Sequence, residues 1–582
     1  MCGIAGMIST KNPVLESSIL KMTNSLIHRG PDGSGVWIND GQTVGLGHRR
    51  LSIIDLSDLG SQPMHFQDRY VISFNGEIYN YIEIRQNLIA LGCHFESHSD
   101  TEVILAAYHQ YGEKCLKLFD GMFAFAIWDK IDNSLFLARD RFGEKPLYYA
   151  RFNHQFLFAS EIKALWAAGL PKKVNDRMLF NYFYFKSLYN PDNLSETFYS
   201  NVLQLKPAHS MRISASGQVV SDNCYWQIPE DYDPVPINDA EAIEKFALLL
   251  RESVRLRLRS DVPVGSSLSG GLDSSVLVSL INEIKGDIVV QKTFSAIFPQ
   301  FKKDESKYLD ILMKSIYAES HKCFPSKDSI ESNIDKIILF QDEPFNSLSI
   351  SAQFEVMQLS KQSGVKVLLD GQGADEYMCG YPGLIDSYLL SLKKNDPAKY
   401  RIELNELKTS HSENQINSVK RRILRMHYKQ IFGNAMIDRM IFFQKKFSNM
   451  AFEKMVIGHI SKSDRVFYNR KYIHHNLRNM LHYSTFKGGL QELLRYADRN
   501  SMANSIEVRL PYLSHELVEF VFSLPDNFKF KSGFTKFILR KGMEDILPSE
   551  ICWRKDKIGY ETPFINVKGK PLEMYYLFNL LN

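Results

Sequence analysis

Apolar positions recur along the chain with two periods, and the balance between them changes part-way. Up to Trp226, short runs of β-branched and aromatic residues bounded by Gly, Asp and Asn predict strands over Val44–Ile54, Tyr70–Phe74, Met122–Asp129, Ser134–Asp140 and Gln155–Ser160. Helical spacing interrupts them over Asn80–Leu91 and Asp100–Tyr111. The segment Pro229–Pro236 is polar, Pro-rich and aperiodic, which reads as a linker. Beyond it, strand patterns at Val262–Leu268, Val289–Ile297 and Val365–Leu369 alternate with helical ones such as Ser274–Ile284, which predicts a parallel sheet between helices. From Lys393 onward the pattern is mostly helical. The expected division is a first domain over 1–210, a linker over 211–236 and a second domain over 237–582.

Composition bounds the function. A chain of 582 residues exceeds one ordinary core, and 44% hydrophobic with 23% charged residues is ordinary for a globular protein. A net charge of +4 from 70 basic and 66 acidic groups gives no field suited to nucleic acid. Seven cysteines without a CxxC spacing argue against a disulfide framework or zinc site and for a reducing compartment. There is no leader-like amino terminus and no run of about 18 apolar residues, so a cytoplasmic protein without membrane partners is expected.

Two motifs carry chemistry. Cys2, in Met1-Cys2-Gly3-Ile4-Ala5-Gly6, becomes the terminal residue once Met1 is removed, as a small second residue permits. Its α-amine, with a pKa of roughly 7.7–8.0, can then take the proton of its own thiol. A cysteine elsewhere would read as a small buried hydrophobe. Ser269-Gly270-Gly271-Leu272-Asp273-Ser274-Ser275 lies at a strand-to-helix junction. Its glycines admit a close phosphate, and hydroxyls with a helix N-terminus supply donors. It lacks the lysine of a GxxxxGK[ST] loop, which disfavours γ-phosphate transfer.

The segments His28-Arg29-Gly30-Pro31-Asp32, Gly47 to Asp55, Phe74-Asn75-Gly76-Glu77-Ile78-Tyr79-Asn80 and Ser99-Asp100-Thr101-Glu102 behind Cys2 resemble the class II glutamine amidotransferase domain. Taken singly, Asn-Gly is a common turn and isolated charges are usually solvated. The SGGLDSS loop resembles that of ATP pyrophosphatases. Together with Asp342-Glu343-Pro344-Phe345, Asp370 to Glu376, Leu494 to Ala503, Ser505 to Leu513 and Thr535 to Arg540, almost the whole chain resembles glutamine-hydrolysing asparagine synthetases.

That resemblance implies an α+β N-terminal nucleophile domain, an αββα sandwich, followed by an α/β parallel-sheet ATP-pyrophosphatase domain with a helical C-terminal part. It gives Cys2 the role of nucleophile, Asn75 and the Gly76 N–H that of oxyanion hole, Arg50 the glutamine carboxylate, and Glu77 and Asp100 its ammonium. It assigns ATP to Leu268, Ser269, Gly270, Gly271, Asp273, Ser274, Ser275, Ile297, Asp370 and Gly371, Mg²⁺ to Asp273 and Asp375, and the leaving-phosphate charge to Lys536. It also implies a sealed ammonia route between the sites and a homodimer. Aspartate is the acceptor it implies first. Gln372 stands where many relatives carry an acid, and Phe345 to Gln353 offers no arginine for a substrate carboxylate, so a sugar uronate of surface-polysaccharide synthesis is the alternative. A non-catalytic sensor or scaffold is disfavoured by the presence of Cys2, Asp273 and Asp375, and a plain glutaminase by the intact SGGLDSS loop.

Overall fold

Alternation along the central strands sets the layers of the first half. The computed structural model describes residues 1–230, 234–286, 290–299, 301, 303–410, 416–424, 460, 462–464, 476–556, 562–564, 566–567 and 570–572. Its strands are β1 (Gly3–Ser9), β2 (Gly33–Ile38), β3 (Val44–Arg50), β4 (Met64–Phe66), β5 (Tyr70–Ile78), β6 (Gly121–Asp129), β7 (Ser134–Arg139), β8 (Tyr148–Phe152), β9 (Gln155–Ala159), β10 (Leu203–Gln204), β11 (His209–Ser214) and β12 (Val219–Cys224). Among the described residues they form two antiparallel sheets, ordered β10-β8-β9-β1-β3-β2 and β12-β11-β7-β6-β5-β4.

In β6, Ala124, Ala126 and Trp128 pack between the sheets against Ile4, Leu46 and Phe158. Phe123, Phe125 and Ile127 face the other way, onto Val103, Ile104 and Ala107 of the helix Asp100–Tyr111. Residues two apart share a face, so one strand serves two cores. On the far side of the first sheet, Ala5 and Met7 pack against Ile19 and Met22 of the helix Glu16–Asn24. The result is the expected αββα sandwich.

Three departures from the sequence reading shape the site. The strand expected over Val44–Ile54 ends at Arg50, because Leu51, Ile53 and Ile54 turn inward to pack with Met1, Tyr79 and Met122. The strand expected to stop at Phe74 continues to Ile78, so Asn75-Gly76 is strand and not turn, paired with Ala124 and Phe123. Gly76 is required there: its φ is +153°, and a Cβ would lie 2.1 Å from the Met122 oxygen. Residues within the expected linker are also strand. Met211 and Ile213 of β11 enter the sandwich core and β11 pairs with β7, while residues 231–233 lie outside the described residues.

The second half carries β13 (Val264–Ser267), β14 (Gln291–Ala296), β15 (Ala318–Cys323), β16 (Val367–Leu369) and β17 (Glu507–Arg509), all parallel in the order β15-β14-β13-β16-β17. Val289, the expected start of β14, lies outside the described residues, as do 425–459 within the stretch expected to be helical. Helices Leu272–Lys285 and Ser349–Gln362 pack on the sheet. No helix among the described residues is long and apolar enough to cross a membrane.

Candidate functional sites at Cys2 and at the SGGLDSS loop

Cys2 is buried where β1 begins, and its backbone N–H donates to Asn75 Oδ1 at 2.9 Å. That bond fixes the orientation of the Asn75 amide and leaves Nδ2, also buried, without a hydrogen-bond partner. Two residues on, Glu77 is buried with Oε1 likewise unpartnered. A spare donor next to Cys2 and a spare acceptor two residues along the same strand face therefore stand open. Each such group costs about 1–3 kcal/mol if left unused. Asp100 caps the end of β5, its Oδ2 accepting the Ile78 N–H at 2.9 Å. Arg50 is held by the following loop, donating to the Ser57 carbonyl at 2.8 Å and to the Asp55 carbonyl.

Electrostatics follow from burial. It raises the Cys2 thiol pKa, opposed by the terminal ammonium, the Leu51 N–H and Arg50. It also pushes Asp100 up to about 6 and, with Asp100 adjacent, lifts Glu77 well above the usual carboxylate range. Two carboxyls reluctant to ionise side by side suit a cationic guest. His48, driven down to about 3 by burial, is neutral.

The second site is a cleft of about 900 Å³ at the C-terminal ends of β13 and β16. The loop after β13 is drawn together by its own hydroxyls: Ser269 Oγ lies 3.1 Å from Ser274 Oγ and accepts the Gly271 N–H at 3.2 Å. The loop after β16 packs onto it at Gly371, where a Cβ would sit 3.1 Å from the Ser274 nitrogen. Lys536, buried, donates to Asp273 Oδ1 at 2.6 Å and pairs with Asp375. Burial works against its charge, but the two carboxylates outweigh that and raise its pKa. Leu268, Ser269, Gly271, Asp273, Ser274, Asp370, Gly371, Asp375 and Lys536 all line this cleft. The Gly270 carbonyl is taken by Arg554 at 2.9 Å, and Ser275 is buried. Ile297 is buried with its N–H on the Cys323 carbonyl, and Phe294 and Ala296 of β14 form the wall on that side.

Between the sites lies a network that residue-by-residue reading treats as solvated charge. Arg29 is fully buried; it donates to the Cys2 carbonyl at 3.0 Å, to Glu161 at 2.8 Å and to both oxygens of Asp498 at 2.8 and 2.9 Å. Arg499 pairs with Glu161 at 3.0 Å and Asp342 at 3.3 Å. Arg29, Asp342, Asp498 and Arg499 come from the 28–32, 342–345 and 494–503 segments, so clustering of charge in those motifs was the available signal, whereas Glu161 lies outside them.

Comparison with known proteins agrees with this two-site architecture. The glutamine amidotransferase domain model matches residues 1–226, and the asparagine synthase model matches residues 245–575. The chain belongs to the asparagine synthase family. Asparagine synthetase (glutamine-hydrolysing) 1 of Bacillus subtilis is 32% identical over 97% of this chain and 87% of its own. The enzyme numbered 3 in the same organism is 30% identical over 95% and 86%. Amidase chry2 of Gibberella zeae is 28% identical over 98% and 90%. The family is thus an asparagine synthase-type glutamine amidotransferase, whose synthase domain implies ATP-using adenylation.

Proposed function

We propose that the protein is a glutamine-dependent asparagine synthetase. The observation that carries the reading is the unpartnered pair beside Cys2, Asn75 Nδ2 and Glu77 Oε1. After loss of Met1, the Cys2 nitrogen that now donates to Asn75 is the free amine and takes the thiol proton. The thiolate attacks the glutamine side-chain amide. Asn75 Nδ2 and the Gly76 N–H receive the oxyanion, Arg50 the α-carboxylate, and Glu77 and Asp100 the α-ammonium. Ammonia leaves, and water later releases glutamate from the thioester.

In the cleft, an aspartate carboxylate attacks the α-phosphate of ATP to give an acyl-adenylate and pyrophosphate. Lys536 balances the charge that develops on phosphate, and ammonia then displaces AMP. Asp273 and Asp375 offer the hard oxygen donors that Mg²⁺ prefers and already share one cation, so they would hold it; when bound it neutralises phosphate charge. Ammonia must travel unprotonated. The apolar contacts of Ile54 and Met122 with Leu256, Val367 and Met502 across the domain junction support a sealed path. The homodimer belongs to the same reading and is checked by sedimentation.

A second acceptor is supported by the cleft wall. Ser349, Gln353, Gln372 and Tyr496 present uncharged hydrogen-bonding groups, and Gln372 Oε1 is buried without a partner, which suits the hydroxyls of a sugar uronate. The test is mass-spectrometric detection of amide product from ATP, Mg²⁺, glutamine and aspartate. Asparagine formed in step with AMP supports the first reading. Glutamine hydrolysis without AMP under these conditions rejects aspartate and calls for uronates.

A further inference from the structure

The glutamine pocket is closed by the other domain. Strand β17 belongs to the synthetase sheet, with Glu507 opposite Val367 and Arg509 opposite Leu369 of β16. Because alternate residues share a face, Val508 enters the synthetase core while Glu507 and Arg509 emerge together on the opposite side. Both are fully buried. Glu507 Oε2 accepts from the Met1 ammonium at 2.7 Å, and Oε1 accepts from Arg509 Nε at 2.6 Å. Arg509 Nη1 is tied to the Arg257 carbonyl at 2.9 Å and to that of Arg259. Its Nη2 makes no hydrogen bond and faces Glu77 Oε2 at 3.5 Å.

We propose that Arg509 and Glu507 are positioning residues of the glutaminase site, Arg509 favouring the ionised form of Glu77 and aiming it at the substrate ammonium and Glu507 holding Arg509. The inference rests on the reading of Cys2 as nucleophile. Glu77 faces Asp100 and Glu507 on the acidic side and Arg509 on the basic side; the Met1 ammonium adds to the basic side only in the unprocessed chain and goes when Met1 is removed. Arg509 is the side-chain cation of that set, anchored through two backbone carbonyls. Without it three carboxylates share a dry pocket, and the one that protonates no longer accepts an ammonium. Glu77 Oε1 stays open for substrate only while Oε2 has this neighbour.

The test compares Arg509→Gln, Arg509→Lys and Glu507→Gln in the full chain, with glutaminase kcat and KM followed from about pH 5 to about pH 9 and ammonia-dependent synthesis measured alongside. Arg509→Gln is expected to raise KM for glutamine at least about tenfold, with a smaller change in kcat, and to move the acid limb of kcat/KM to higher pH. Arg509→Lys should restore most of both. Glu507→Gln keeps an amide oxygen for Arg509 Nε and removes only the charge beside Glu77, so it should move the acid limb the other way. Shifts of opposite sign are a signature of charge that simple disruption does not produce. An unmoved acid limb, or shifts of the same sign, would overturn the proposal. Wild-type-like glutamine hydrolysis by Cys2→Ala would instead overturn the nucleophile reading beneath it.

Discussion

Around Cys2 two buried polar atoms are left over, whereas in the SGGLDSS cleft the charges of Asp273, Asp375 and Lys536 and the groups of Ser269, Gly271 and Ser274 are spent on one another. Asn75 Nδ2 and Glu77 Oε1 have no partner, yet their neighbours are fixed by Cys2, Arg509 and the β5–β6 ladder. Asp273, Asp375 and Lys536 form a closed set, and Ser269, Gly271 and Ser274 bond among themselves. The first pocket is pre-organised and gains hydrogen bonds when filled. On the proposed function the second has to exchange partners: Lys536 would reach a phosphate only once its carboxylates have another cation. Glutamine is small and of fixed charge pattern, so a rigid receptor suits it. A nucleotide arriving with its own counter-ion can drive the exchange.

Four experiments press on that difference. Cys2→Ala should abolish glutamine-dependent amide formation, by about a thousandfold or more, while ammonia-dependent synthesis continues. Loss of both would break the separation of the two sites. Asp273→Ala should remove ATP-dependent pyrophosphate release with either nitrogen source, since it opens the closed set; retained release would refute its role. Removing the spare donor with Asn75→Ala should cost about 10²- to 10³-fold in glutaminase kcat, with KM less affected. Equal loss in ammonia-dependent synthesis would mean that the change acts through folding. The smallest effect is on pH. Glu77 and Asp100 hold an ammonium only when ionised, and burial pushes Asp100 up to about 6. Glu77 is lifted well above the usual carboxylate range, so glutaminase kcat/KM should begin to fall above about pH 6 and steepen as pH drops through about 6, with the ammonia-dependent reaction lacking that limb.

Much of this was legible in the sequence where a single periodicity governs. The helix Asp100–Tyr111 has the predicted ends, and β6 and β7 differ from prediction by one residue. Reading failed where a tertiary contact overrides a local preference. Asn75-Gly76 carries a turn signature, but pairing with β6 keeps it extended. The three residues of β17, two of them charged, have no strand signature, because burial of charge is decided by partners distant in sequence. The same holds for Arg29 and Asp498, 469 positions apart and mutually bidentate. In the cleft, the loops after β13 and β16 that the motifs mark lie side by side, while Ile297, one residue past β14, turns its N–H to β15.

Arg29 also bears on modularity. One guanidinium binds the Cys2 carbonyl and the second domain's Asp498, and Phe180 and Tyr182 share a core with Ile334, Ile337 and Phe345. The halves look exchangeable in sequence, joined by a short polar segment. Physically they resemble a lock and its plate cut from one casting. Cutting out the first half, or grafting on a foreign second half, would strand a buried cation and bare an apolar face. Recombination between distant relatives should therefore succeed only when both partners of this seam are inherited together.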